Sequence, residues 1–171
     1  SVMEYVSGGT LGKYIKEKSF INYGTIKYMF WDILCALNYL HSLYIAHRDI
    51  KDENIVLKLI PYDAPIPKLC DFGFSIRLSS PFDLCTNYCG TRSFKSPELI
   101  HAEGPYNPFR AEIWALGVLL YKMCTKKVPS YCQEKRKLII DYTPFPKWAA
   151  DLISGMLKVL PSERISLQTM M

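Results

Sequence analysis

Apolar residues recur at helical spacing along most of this chain, and they alternate or cluster as short strands in one place only. Leu11, Tyr14 and Ile15 predict a short amphipathic helix directly behind Gly8 and Gly9. Ile26, Met29, Phe30, Ile33, Leu34, Leu37 and Leu40 predict a long helix ending near His41. The segment "AEIWALGVLLYKMC" is apolar nearly all round, the pattern of a buried helix. In "KWAADLISGMLKVL", Trp148, Leu152, Ile153, Met156 and Leu157 form one face, and "RISLQTMM" reads as the first turns of a further helix. Two strand candidates, Ile55 to Leu59 and Lys68 to Cys70, flank the proline-rich turn "IPYDAPIP". Residues 74–95 are rich in Ser, Thr, Asn and Gly and predict a long loop, a feature that is usually functional inside a compact domain. A basic, proline-bearing stretch separates the last two large helices. The expectation is a mainly α body with one small β-hairpin.

Composition agrees with a single folded domain. Hydrophobic residues make up 49% of the 171 positions and charged residues 22%. The longest purely apolar run, Trp114 to Tyr121, is too short to span a bilayer, and no secretory signal pattern is visible in these residues, which begin at Ser1 rather than Met. The six cysteines form no C-x-x-C pair and no zinc spacing, which suits a reducing cytoplasmic or nuclear setting. The net charge of +5 has its densest cluster at Lys135, Arg136 and Lys137. No interleaving of aromatic and basic residues accompanies it, so a solvated face is expected, with neither nucleic acid nor membrane as partner.

The chemistry lies around the predicted hairpin. "HRDIKDEN" spans His47 to Asn54, and "DFG" spans Asp71 to Gly73. Either motif alone means little; in order, across a strand-turn-strand unit, they are a strong signal for phosphoryl transfer. Delivering a hydroxyl to a γ-phosphate needs a carboxylate to orient or accept its proton, which Asp49 can do. Lys51 projects the same way along an extended segment and can neutralise the moving phosphoryl group. Asn54 and Asp71 offer an amide oxygen and a carboxylate, the oxygen donors a hard cation such as Mg2+ requires.

These motifs resemble the C-terminal lobe of a eukaryotic protein kinase. "HRDIKDEN" is similar to the kinase catalytic loop and "DFG" to its magnesium-binding motif. "GTRSFKSPE" resembles the end of the activation segment, with Ser96 where alanine is usual, and "LPSERIS" resembles the closing motif whose Arg164 would pair with Glu98. Lys51 and Thr91 point to the serine/threonine kinases, and "MEYVSGG" and "PKLCDFGFS" look most like the calmodulin-dependent and AMP-activated branch. The resemblance implies a protein-kinase-like fold with 1–9 as hinge, 10–171 as helical C-terminal lobe and the β-rich N-terminal lobe absent. It implies ATP and Mg2+ as cofactors and proteins with Ser or Thr hydroxyls as substrates. Asp49 and Lys51 would be catalytic, and Asn54 and Asp71 would hold the metal. Met3, Glu4, Val6 and Val56 would surround the adenine, with Glu53 an acidic position toward ribose or a basic substrate residue. His47 and Phe72 would pack as a structural spine.

The same resemblance marks departures. No G-x-G-x-x-G-x-V loop and no V-A-I-K-like lysine is found in the chain, so these 171 residues alone are expected to transfer no phosphate. Gly8, Gly9 and Gly12 do not fit a phosphate loop and read as the turn out of the hinge. Glu112 stands where the family usually has aspartate, and its extra methylene is expected to misplace the carboxylate that holds the catalytic-loop backbone unless the helix shifts. Thr10 replaces a common glutamate. Arg48 suggests a phosphate on the activation loop, either on a shifted Thr86 or on none at all. A pseudokinase or scaffold that keeps the lobe without turnover is the alternative function.

Overall fold

In the computed structural model, which describes residues 4, 6–102 and 104–171, two helices supply most of the core. Helix α2 runs from Tyr23 to Ser42 and is started by Asn22, whose side chain accepts from the Thr25 amide at 2.8 Å. Its buried stripe is Ile26, Met29, Phe30, Ile33, Leu34 and Leu37, the face that the spacing predicts. Helix α4, Pro108–Thr125, starts with Asn107 as cap and Pro108 in its first turn, where a missing N–H costs nothing. Twelve of its eighteen residues are buried, which is why its sequence shows no polar face. Around this pair pack α1 (Leu11–Glu17), α3 (Pro97–His101), α5 (Lys147–Met156) and α6 (Leu167–Met170). No helix among the described residues is long and apolar enough to cross a membrane.

Among the described residues the strands form three separate antiparallel pairs. β2 (Ile55–Lys58) pairs with β3 (Ile66–Leu69), so the expected hairpin is present, with its second strand starting two residues earlier. Pro67 lies opposite Leu57 in that ladder. The position tolerates proline because Leu57 directs its backbone the other way, donating to the Gly9 carbonyl at 2.9 Å and accepting from the Gly8 amide at 3.0 Å. A Cβ on Gly8 would sit 2.2 Å from the Leu57 carbonyl oxygen, so only glycine permits this approach. The opening glycines therefore lay the entering chain against β2.

The expectation of a single hairpin is corrected at two places. β1 (Ile45–Ala46) pairs with β4 (Ile76–Arg77), inside the segment expected to be a structureless loop. The same segment is tied further by a bridge between Cys85 and Tyr106. The basic stretch after α4 folds into β5 (Ser130–Cys132) and β6 (Lys137–Ile139). Three-residue strands are too short to show an alternation, and the connecting turn has no glycine, using Arg136 at φ 46° instead.

The pairing expected between Glu98 and Arg164 is present. Arg164, 3% exposed, places Nη1 and Nη2 each 2.7 Å from one Glu98 carboxylate oxygen. Its remaining donors meet the carbonyls of Lys158, Val159 and Arg110, and the guanidinium lies 5.3 Å from the Trp114 ring centroid. One side chain thus joins α3, α4 and the turn after α5. Removing one partner strands a buried charge, so Arg164→Ala should lose about 3–5 kcal/mol of unfolding free energy in urea titration. A loss below about 1 kcal/mol would show that the pair is not structural.

Candidate active site

The short β1–β4 pair, extended by the Leu78 amide donating to the Tyr44 carbonyl at 2.8 Å, draws residues 47–49 against residues 70–74. His47 is fully buried at this junction. Its Nε2 lies 2.9 Å from the Cys70 carbonyl, and its Nδ1 accepts from the Asp49 amide at 3.3 Å. The Phe72 ring packs on it at 4.9 Å between centroids, the spine-like contact expected, although Phe72 remains 45% exposed on its other side. The Asn54 carbonyl accepts from the Cys70 amide at 3.0 Å, which brings Asn54 beside the residue preceding Asp71.

Asp49 collects four donors. Oδ1 accepts from the Thr91 amide at 2.9 Å and the Thr91 hydroxyl at 2.8 Å. Oδ2 accepts from Asn54 Nδ2 and from Lys51 Nζ, both at 2.8 Å. Lys51 also donates to the Thr91 hydroxyl at 2.7 Å, closing a ring of Asp49, Lys51 and Thr91. Burial would raise the Asp49 pKa, but the Lys51 contact and the bonds from Thr91 and Asn54 outweigh it and hold the carboxyl below its ordinary range. Gly90 makes the ring possible. It sits at φ +92°, and a Cβ there would lie 2.7 Å from the Arg48 carbonyl oxygen.

Arg48 is held in a left-handed conformation, φ 63°, which costs a non-glycine residue about 1–2 kcal/mol. Two hydrogen bonds impose it: Arg48 N–H donates to Glu112 Oε1 at 2.5 Å, and Arg48 Nε donates to the Phe74 carbonyl at 2.7 Å. Glu112 is buried, and its Oε2 lies 2.5 Å from His41 Nε2 at the end of α2. The expected misplacement is therefore corrected. The longer side chain reaches the Arg48 backbone with one oxygen while the other meets His41.

The other predicted positions surround this ring or lie beyond it. Asp71 is exposed at φ 60°, and its Oδ1 accepts from the Gly73 amide at 3.3 Å. Asn54 directs its amide nitrogen to Asp49, which leaves the amide oxygen as a donor for a cation. Glu53 is exposed on a single 3-10 turn, Asp52–Asn54. Val56 and Val6 are half-buried, and Glu4 is exposed between Lys58 and Lys68, whose charges lower its pKa, Lys68 foremost. Met3 lies outside the described residues. Thr10 serves as the cap of α1, accepting from the Lys13 amide at 3.2 Å.

Two anchors escape a reading of the sequence. Asp52, 1% exposed, pairs with Lys122 of α4 at 2.6 Å, and His41 pairs with Glu112. Each joins residues about seventy positions apart, so no local spacing announces them; a charged residue inside an otherwise packed motif is the only hint. The long loop is also tied by two tyrosines. Tyr88 Oη donates to the Gly104 carbonyl at 2.6 Å, Tyr106 Oη donates to the Asn87 carbonyl at 3.1 Å, and the two rings stack. Burial pushes the Tyr106 phenol up to about 12, while the neighbouring Arg48 guanidinium pulls the other way. Thr86 is exposed on this loop.

With this geometry in place, the relationships of the chain fit it. The whole chain, residues 1–171, matches the protein kinase domain family, and it belongs to that family. It is 35% identical over 175 residues to the serine/threonine-protein kinase ppk25 of Schizosaccharomyces pombe, covering 98% of this chain and 40% of that protein. It is 34% identical to the serine/threonine-protein kinase kin-29 of Caenorhabditis briggsae (99% of this chain, 21% of that protein) and 35% identical to an Aurora kinase of Eremothecium gossypii (98% and 46%). The chain thus spans less than half the length of these relatives. Their near-equal identities do not single out the calmodulin-dependent and AMP-activated branch.

The four donors on Asp49 have a consequence for acid stability. A carboxyl whose folded pKa lies below its unfolded value of about 3.9 adds stability that is complete above that value and is lost as pH falls through the folded pKa. Unfolding free energy should therefore drop with acidification below about pH 4, and Asp49→Asn should drop less steeply over the same range. Superimposable acid limbs in urea titrations of the two proteins would contradict this.

Proposed function

We propose that these residues form the catalytic and metal-holding part of a serine/threonine protein kinase, which moves the γ-phosphate of ATP to Ser and Thr hydroxyls of proteins. The observation that carries the reading is the convergence of Lys51, Asn54 and Thr91 on the Asp49 carboxylate. Asp49 is ionised and therefore a weak base. Its role is to orient the acceptor hydroxyl and take the proton as the oxygen bonds to phosphorus. The Thr91 hydroxyl bonds Asp49 Oδ1 at 2.8 Å, which shows that this carboxylate can accept from a hydroxyl. Lys51 lies 2.8 Å from the carboxylate and can offset charge on the phosphoryl group as it moves.

The Asn54 amide oxygen and the Asp71 carboxylate make a donor set that fits Mg2+, with water completing the shell. When bound, the metal supplies the positive charge that the phosphate oxygens need during transfer. The hinge reading of residues 1–9 is supported by the Gly8–Gly9 contact with Leu57, which sets the chain beside Val56, the residue proposed to lie under the adenine. The backbone of Glu4 and Val6 would bond the adenine edge, Met3 would back the pocket, and Glu53 would face the ribose or a basic substrate residue.

The pseudokinase alternative rests on Glu112 and on the absence of a glycine loop and strand lysine from these 171 residues; the carboxylate that reaches the Arg48 amide weighs against the first ground and leaves the second standing. The loop bonds of Tyr88 and Tyr106, with Arg48 engaged by Phe74, favour a loop that needs no phosphate over a phosphosite at Thr86.

The test is transfer of labelled phosphate from ATP to a Ser/Thr peptide mixture by the whole protein. Asp49→Asn should lower the rate by about 10²–10⁴-fold with nucleotide affinity kept. Asp71→Ala should abolish the Mg2+-dependent thermal shift with ATP, and Thr86→Ala should leave transfer intact. Undiminished transfer by Asp49→Asn would exclude the role given to that carboxylate.

A further inference from the structure

Ser96 is 1% exposed, and its hydroxyl is the one buried side-chain polar group without a hydrogen-bond partner among the described residues. A serine directly before a helix ordinarily spends this oxygen on an amide two or three residues further on. Here the Leu99 amide bonds the Ser96 carbonyl at 3.0 Å, and no amide of α3 meets the side chain. The hydroxyl is left uncommitted. A buried hydroxyl alone carries its whole desolvation penalty, so native folds give nearly all such groups a protein atom or a water as partner.

The same residue lines a cavity of about 30 Å³ that lies between residues 48–50, residues 89–91 and α4. One water needs about 10–15 Å³ of such space and about two to four polar partners, whereas a cavity walled by hydrocarbon alone stays dry. This cavity is not walled by hydrocarbon alone, because Asp49 and Glu112 share the lining with Ser96. Their remaining capacity differs. An ionised carboxylate offers about four acceptor sites. Thr91, Asn54 and Lys51 take all four at Asp49, while Glu112 uses two, for the Arg48 amide and His41. Of these three side chains, Ser96 therefore has the spare donor and Glu112 the spare acceptor sites. No direct bond joins them, and a water can supply what each lacks by accepting from one and donating to the other.

We infer that this cavity is a hydration site in which one ordered water accepts from the Ser96 hydroxyl and donates to the Glu112 carboxylate. The water gives Glu112 a third partner beside the Arg48 amide and His41. It ties the residue that precedes α3 to the buried charge of α4 that holds the Arg48 backbone. No part of the kinase reading is needed for this, since the hydroxyl, the cavity and the carboxylate carry it.

The experiment is water-oxygen magnetic relaxation dispersion on the whole protein and on its Ser96→Ala variant, together with a crystal structure of the unaltered protein. The dispersion amplitude, which counts long-lived internal waters, should fall by the equivalent of one water in Ser96→Ala. Electron density should place a water about 2.6–3.0 Å from Ser96 Oγ and from a Glu112 carboxylate oxygen. The urea midpoint of Ser96→Ala should also fall, because the change breaks a hydrogen bond. A hydroxyl without any partner gives the opposite sign, since alanine removes its desolvation penalty. An unchanged dispersion amplitude overturns the inference, as does a variant midpoint that is unchanged or raised. Density that shows no water beside Ser96, or a water out of reach of Glu112, overturns it equally, and this arm decides alone if Ser96→Ala does not fold.

Discussion

The Glu112 carboxylate is the contact on which the rest of the site depends. It is a buried charge in the middle of an otherwise apolar helix, and both its oxygens are engaged across the fold, one by the Arg48 amide and one by His41. A carboxylate in such surroundings is tolerated only when its partners are fixed, because leaving it unpaired costs several kcal/mol. That cost makes the arrangement all-or-none. Helix α4, the end of α2 and the backbone at Arg48 must come together in one geometry or not at all.

The backbone geometry at Arg48 sets the direction in which Asp49 points. A left-handed residue reverses the chain, so Asp49 enters facing Asn54 and Thr91 rather than continuing the line of β1. A hydrogen bond to a charged group is worth about 1.5–3 kcal/mol, enough to offset the conformational cost of the positive φ. Asp52 and Lys122 repeat the device further along α4, so the loop is pinned to the same helix at two points. Rigidity of this kind is what the role proposed for Asp49, holding a hydroxyl within hydrogen-bond reach of a phosphate, requires.

The residues proposed for chemistry were legible because their relation is local: Asp49, Lys51 and Asn54 share one turn of chain, and Asp71 comes after one hairpin. The helices were legible for the same reason, since a buried stripe repeats every three or four residues. What supports the site was not legible. His41 with Glu112 and Asp52 with Lys122 are long-range pairs, and no spacing rule connects positions so far apart. Counting methylenes leaves Glu112 misplaced unless its helix shifts, because the count considers one partner and not the second, His41. With two partners, the longer side chain spans a gap that its neighbours define. The β5–β6 hairpin was missed because its strands are three residues each and its turn lacks the usual glycine signal.

Hydrogen exchange at the Arg48 amide tests the role of Glu112 most directly. In the unaltered protein that amide should exchange as slowly as the core amides of α4, since its acceptor is a buried carboxylate. Glu112→Ala should speed it by about 10- to 100-fold, the value of a hydrogen bond to a charged group, while Val118 and Leu119 of α4 stay protected. An Arg48 amide that exchanges equally fast in both proteins would contradict the claim that Glu112 holds the loop.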